Sequence, residues 1–284
     1  LKIIAALQTK KEIMDTIDHP LVTRALDEGV LVLTMNKQAD GNALDLAMTA
    51  ALSEAIESAN AMPDVHCVLL RSSSRHFCTG GNVKDMEKGR DLMAGSVSDV
   101  RDRLKKGLHR LTRALTSLEV PSVCSVNGAA VGAGCDLALM CDIRLAGSRA
   151  SFAESFLRLG LVSGIGGAWF LSRIVGPAKA LELTLTSEFI DAEQAAHLGL
   201  VSRLVDDDHL DDEALQLAKR IARNPPQAMR MAKQLVRESS QTSLGAALEM
   251  AASMQAILLC GEEHRQTVIR FLEQQTEAKR QRTA

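Results

Sequence analysis

Residues 121–142 read Pro-Ser-Val-Cys-Ser-Val-Asn-Gly-Ala-Ala-Val-Gly-Ala-Gly-Cys-Asp-Leu-Ala-Leu-Met-Cys-Asp. Ser122 to Val126 is short, apolar and rich in valine, which predicts a buried strand. Asn127 to Gly134 is a corner of small residues leading into a helix, and Cys141 to Leu145 predicts the next strand. The same alternation extends upstream. Val30 to Met35 is a β-branched run closed by the polar loop 36–42, and residues 45–60 carry Leu46, Leu52 and Ile56 among alanines and acids, a helical pattern. A second buried strand, Val65 to Leu70, leads through Arg71 to Arg75 into Gly80-Gly81. Residues 98–118 place Val100, Leu104, Leu108, Leu111 and Leu115 at intervals of three and four, an amphipathic helix stopped by Pro121. A late strand is predicted near Val201 to Val205. Strands alternating with helices imply an α/β fold with largely parallel strands.

After Asp206-Asp207-Asp208 the strand signals stop, and the remainder to Ala284 reads as helix. The expected division is therefore a core over 1–208, with 1–20 a candidate N-terminal extension, and a helical region over 209–284. The acids from Asp206 to Glu213 lack the turn glycine of a calcium loop and are read as a solvated helix start. Leu244, Leu248, Met254, Ile257 and Leu258 would be left wet on a lone extension, so burial against another subunit is expected.

With 46% apolar and 24% charged residues in 284, the chain is neither disordered nor a disulfide scaffold. Lys+Arg 33 against Asp+Glu 35 leaves no global field to hold a polyanion, and 2% aromatics leave no stacking platform, so no nucleic-acid partner is expected. The six cysteines, never in C-x-x-C spacing, are read as buried reduced thiols rather than zinc ligands. Apolar runs fall short of the ~18 residues of a membrane span, so no membrane partner is expected. Leu1 to Leu7 shows no secretory pattern, although Leu at position 1 leaves a processed, truncated or tagged start open. A soluble, cytoplasmic protein is expected.

Two glycine-rich corners follow buried strands: His76 to Lys84 and Asn127 to Leu137. Small residues let a backbone approach a ligand closely, and a helix start directs free N–H groups outward, so facing corners would make an oxyanion hole; tight turn packing explains either corner alone. Leu137 stands where a dinucleotide fingerprint needs its last glycine, and there is no G-K-[ST], G-x-S-x-G or H-E-x-x-H.

Phe77-Cys78-Thr79-Gly80-Gly81-Asn82-Val83-Lys84, the stretch from Pro121 to Asp142, and Leu159-Gly160-Leu161-Val162-Ser163-Gly164-Ile165-Gly166-Gly167 together resemble the crotonase (enoyl-CoA hydratase/isomerase) superfamily. Asn42-Ala43-Leu44 and Ile190 to Ala195 belong to the same resemblance, which runs from about Val30 to Val205 and fades in the tail. It implies a spiral of β-β-α turns, a helical C-terminal region used in trimers or dimers of trimers, and an acyl-CoA thioester substrate. No metal or redox cofactor is implied; coenzyme A enters as part of the substrate. The backbone N–H groups of Gly81 and Ala133 would hold the thioester oxygen. Where hydratases of the family carry two glutamates, this chain has Asp136 and Phe156. An apolar neighbour would raise the pKa of Asp136 toward a useful acid or base, while a carboxylate in a first helical turn is also welcome without chemistry. Glu154 is the candidate second carboxylate, with solvent exposure or loop bracing as its alternative. Asn82 stands where many relatives carry Asp. Phe156, His109 and Trp169 are candidate pocket residues, and Asn42, Ala43, Leu44, Lys84, Lys279 and Arg280 candidates for binding CoA. The activity the resemblance implies is enoyl-CoA hydration. Double-bond isomerisation, acyl-CoA or carbon–carbon bond hydrolysis, and a silent oligomeric relative stand as alternatives.

Overall fold

The computed structural model describes residues 19–283, without the side chains of 278, 279 and 281–283. Most of the expected N-terminal extension, to residue 18, thus lies outside the described residues. The chain begins with a hairpin, β1 (Val22–Asp27) and β2 (Val30–Met35), which pair antiparallel across Glu28-Gly29, both at positive φ. That two-residue turn matches the twist of the strands it joins. Then follow α1 (Leu46–Ala59), β3 (Cys67–Ser72), α2 (Val83–Glu87), α3 (Val97–Arg103) and α4 (His109–Thr116). Next come β4 (Ser122–Val126), β5 (Ala129–Val131), α5 (Ala133–Met140), β6 (Ile143–Gly147) and β7 (Ser151–Ala153). After α6 (Gly167–Val175), α7 (Pro177–Thr186), β8 (Ile190–Asp191), α8 (Ala192–His197) and β9 (Arg203–Val205), the chain is helical: α9 (Leu210–Ala222), α10 (Pro226–Ser239), α11 (Leu244–Leu259) and α12 (Glu262–Thr283).

Successive turns of the spiral feed two sheets. The larger runs β1-β2-β3-β4-β6-β9, parallel except at β1, and the smaller runs β5-β7-β8. Alternation along each strand explains why the large-sheet strands read as unbroken apolar runs. Leu31, Leu33, Val68 and Leu70 face one core with α1, α4 and α5, while Val30, Val32, Cys67, Leu69 and Val123 face another sealed by Leu210, Ala214, Leu217 and Ala218 of α9. Both faces are buried, so neither carries a polar set. Five cysteines are buried and Cys260, beyond α11, is exposed; burial pushes the Cys67 and Cys78 thiols up to about 12, which keeps them protonated.

The helix expected over 98–118 is interrupted. Leu104–Leu108 form a π turn between α3 and α4, where a side chain at Gly107 would press within 3.1 Å of the Leu46 Cδ2. The wider turn presents Val100, Leu104 and Leu108 to a cavity, while Leu111 and Leu115 stay in the core.

The helices after α9 are held differently. Asp142, just after α5, accepts from Lys233 (2.8 Å) and Arg237 (2.6 Å) of α10 and from the Ser122 backbone N–H (2.8 Å). Burial raises the Asp142 carboxyl, but the two cations outweigh it and hold the group below the usual carboxylate range. Lys233 is also lowered, by its own burial, so the carboxylate with several donors is the better-served member. Beyond α10, Leu244, Leu248, Ile257 and Phe271 are exposed. Among the described residues no single helix is long and apolar enough to cross a membrane. Asp142→Asn is expected to cost about 3 kcal/mol in urea unfolding, because it leaves two cations unpaired against the core. The loss should shrink as pH falls below the ordinary Asp value of about 3.9, where protonation removes the same charge from the parent.

Candidate active site

Asn42 fastens the first corner. It is fully buried at φ 60°, and its side-chain amide donates to Ser72 Oγ (2.8 Å) and the Phe77 carbonyl (3.0 Å), while Oδ1 accepts the Lys37 N–H (2.8 Å). The adjoining backbone pairs with the same corner: Thr79 N–H to Gly41 O (3.0 Å) and Leu44 N–H to Gly80 O (2.8 Å). The second corner is locked to the first by a parallel bridge between Cys78 and Ala130, with Cys78 N–H to Ala129 O (3.1 Å) and Val131 N–H to Cys78 O (3.0 Å). Counting three residues on from each bridge partner reaches Gly81 and Ala133. Both line one cavity of about 500 Å³, and neither backbone N–H has a hydrogen-bond partner among the described residues. Ala133 opens α5, where the first N–H groups have no carbonyl to reach. Close approach fixes the glycines: a Cβ on Gly134 would sit 2.0 Å from Cys78 O, and one on Gly80 2.5 Å from Val131 O.

The rest of the cavity wall is mainly apolar, with Leu44, Met86, Met93, Leu104, Val131, Phe156 and Ile165, and with Asp85, Arg90 and Arg158 among its polar members. Phe156 packs close to Gly132, its ring 3.7 Å from where a side chain there would begin.

Asp136, one helical turn after Gly132, is wholly buried. Its Oδ2 accepts the Ser163 hydroxyl at 2.7 Å, and Ser163 Oγ in turn accepts the Gly167 N–H at 2.9 Å. Glu154 is buried too and pairs with Asp136 carboxyl to carboxyl. Asp136 Oδ1 and Glu154 Oε1 have no hydrogen-bond partner among the described residues, a lack that one proton shared by the two neighbouring acids would satisfy. Burial raises both acids. Asp136 reaches about 6, moderated by Ser163, Glu154 and the Gly167 N–H, whereas Glu154, further raised by the charge on Asp136, reaches about 9. Burial and mutual repulsion thus keep one proton on the pair at neutral pH. Neither carboxyl lines the cavity; Ala133 on one side and Ser155 and Phe156 on the other do.

A family model described as enoyl-CoA hydratase/isomerase matches residues 25–281. The chain belongs to the enoyl-CoA hydratase/isomerase family. Its similarity to the 2,3-dehydroadipyl-CoA hydratase of Escherichia coli (strain K12) is 34% identity over 87% of this chain and 93% of that protein. The 1,2-epoxyphenylacetyl-CoA isomerase of the same organism is 32% identical over the same shares. The crystal structure of an enoyl-CoA hydratase from Mycobacterium smegmatis superposes with TM-score 0.82 at 33% identity, covering 90% of this chain and 97% of that one. Membership in the crotonase superfamily and the spiral α/β fold expected from the sequence are both shown, and enzymes of this family act on CoA thioesters.

Within this family member, the residues singled out in the sequence fall into distinct places. Gly81, Ala133 and Phe156 meet at the cavity, and Asp136 and Glu154 meet behind it; Glu154 does not face solvent. His109 is not on the cavity wall. Its Nε2 lies 2.8 Å from Gly164 O, and since a carbonyl only accepts, this nitrogen donates and ties α4 to the 160–166 loop. Trp169, expected in the core or the pocket wall, is 44% exposed, with the Arg173 guanidinium 3.9 Å above its ring. The N–H groups of Asn42, Ala43 and Leu44 are already taken, by Lys37 O, Asp40 Oδ1 and Gly80 O, and of the three residues Leu44 lines the cavity. Asn82 caps α2 by accepting the Lys84 N–H (3.0 Å), and Lys84 itself is exposed. The side chain of Lys279 lies outside the described residues. Among the described residues no group of three His, Cys, Asp or Glu side chains is placed to hold a metal ion. Sequence reasoning missed Ser163, which sits inside a quoted motif but gives no sign of facing an aspartate 27 positions earlier.

Gly134→Ala tests the lock between the corners. The added carbon meets backbone rather than a flexible side-chain end, so a loss of about 1–3 kcal/mol is expected in thermal unfolding.

Proposed function

We propose that the chain is an enoyl-CoA hydratase in which the N–H groups of Gly81 and Ala133 receive the thioester oxygen and the Asp136–Glu154 pair moves the protons. The observation that carries this reading is the pair of N–H groups without a partner among the described residues on one largely apolar cavity, with two neighbouring buried carboxyls behind its wall. Attack of water at C3 sends electron density through C2 to the carbonyl, and two preorganised donors stabilise the resulting enolate. Asp136, as carboxylate, takes a proton from the water while Glu154 gives its proton to C2. The product is the 3-hydroxyacyl thioester. One proton passing from Asp136 to Glu154 through their shared hydrogen bond restores the pair. Bringing these carboxyls to the acyl carbons requires the Ser155–Leu159 turn, with Phe156, to swing aside as substrate enters, while Ser163 stays on Asp136.

Double-bond isomerisation is the second reading, favoured by Phe156. An aromatic ring on the cavity wall does nothing to orient water, and shuttling one proton between C2 and C4 needs one group where hydration needs two. Incubation with 2-enoyl-CoA and 3-enoyl-CoA esters separates the two: gain of one water by mass supports hydration, and migration of the double bond without mass change supports isomerisation. Release of free CoA would instead indicate hydrolysis, and no turnover of any ester a silent relative.

The same reading assigns Lys84, Lys279 and Arg280 to the phosphates of CoA and the exposed apolar residues of α11 and α12 to a trimer interface, alone or as a dimer of trimers. The cytoplasm is the compartment proposed, since buried thiols suit a reducing medium. Light scattering on the eluted protein measures the oligomer directly.

Two further outcomes are expected. Ala133→Pro deletes one oxyanion donor at the first position of a helix, where proline is tolerated, so kcat should fall by about 10²–10³-fold with the fold intact by circular dichroism. The pH profile of kcat/KM, which reports the free enzyme, should be a bell. Its acid limb rises as the pair gives up its first proton, near the value of about 6 for Asp136, and its alkaline limb falls as the second leaves, near the value of about 9 for Glu154.

A further inference from the structure

We propose that Ser163 is a positioning residue that decides which of the two buried carboxyls carries their shared proton. The proposal rests on the catalytic reading of the Asp136–Glu154 pair and adds to it a side chain that reaches Asp136 from the 160–166 loop.

Hydrogen-bond bookkeeping at Ser163 is directional. A hydroxyl has one proton to donate. Ser163 Oγ accepts the N–H of Gly167, at the start of α6, at 2.9 Å, and the acceptor for its own O–H is Asp136 Oδ2 at 2.7 Å. If Asp136 carried its proton on Oδ2, two hydrogens would compete for the same line, and the serine would have to turn its O–H to an acceptor that no described residue supplies. The ionised form of Asp136 avoids this conflict. Glu154 has no equivalent: its Oε1 has no partner outside the pair, and the neighbour that reaches its carboxyl is the weakly donating Cys135 thiol. With a strong donor on one acid and a weak one on the other, the proton settles on Glu154, and the charge stays on the acid that follows the oxyanion donor Ala133 by one turn.

The surroundings contain little that would override this choice. The Cys135 thiol is held protonated, first by its burial and then by the acids beside it. From α6 comes the Gly167 N–H, and the histidine of α4 near this loop, His109, is bonded to Gly164 O. Steric fit holds the geometry in place: a Cβ on Gly167 would lie 1.8 Å from Asp136 Oδ1, so the carboxylate rests directly on the start of α6.

The test uses the full chain and two readouts. Infrared difference spectra at neutral pH locate the protonated carboxyl through its C=O band. In the parent this band should disappear in Glu154→Gln and persist in Asp136→Asn. In the Ser163→Ala background, Glu154→Gln should remove only part of the band, because the proton is then divided between the acids. A band that belongs wholly to Glu154 with and without Ser163 overturns the proposal, whether or not the protein turns over any thioester. The second readout is the pH profile with trans-2-hexenoyl-CoA. Loss of one hydrogen bond to a charged group predicts about a tenfold fall in kcat, KM within about twofold, and an acid limb displaced upward by about one pH unit. Ser163→Thr, which keeps the hydroxyl, should restore the parent profile and controls for folding. An unmoved profile in Ser163→Ala together with an inactive Asp136→Asn refutes the role of Ser163 alone; full activity in Asp136→Asn refutes the catalytic reading instead.

Discussion

Everything at the candidate site depends on one short parallel contact, the bridge between Cys78 and Ala130. It joins two turns of the spiral that are far apart in sequence, and it sets their register so that the backbone three residues further along each chain reaches the same cavity. The contact is closer than most side chains permit. Gly134 and Gly80 lie against carbonyl oxygens of the opposite corner, and no residue with a Cβ fits either place without moving backbone. Main-chain donors held this way lose little on meeting a charge, because they are already oriented before it forms.

The buried acids are the second consequence of that arrangement. Once α5 starts at Ala133, Asp136 follows in its first turn with its carboxyl on the start of α6, and β7 delivers Glu154 beside it. Two ionised carboxyls in so dry a place would repel strongly, so the pair keeps one proton, and the neighbours decide where it rests. The cavity beside them is mostly hydrocarbon, supplied in part by the π turn that presents Leu104 and Leu108. A fold that seals acids behind an apolar wall has raised their affinity for protons toward the range where proton transfer is useful.

Docking of the C-terminal region follows a different rule. Where α9 closes the back of the large sheet with alanine and leucine, α10 is tied by lysine and arginine to Asp142 and to the backbone of the loop before β4. Apolar surface on α11 and α12 is left uncovered within one chain.

The central strands were legible in the sequence because each is buried on both faces, and a run such as Val-Leu-Val-Leu has few other uses in a chain of mixed composition. The two glycine corners and the all-helical tail were legible for similar local reasons. What the sequence alone determined, then, is where backbone must be buried, where it must turn, and where only small residues fit. It did not show β5, three residues of alanine and valine that are strand only because Cys78 and β7 supply partners. Nor did it show that His109 and Trp169 stand off the cavity wall, that Asn42 is spent on fastening its own loop, or that Glu154 turns inward to meet Asp136. Those outcomes were decided by tertiary structure, because the state of a side chain depends on which groups surround it in space, and here those groups come from as far as 55 residues away along the chain.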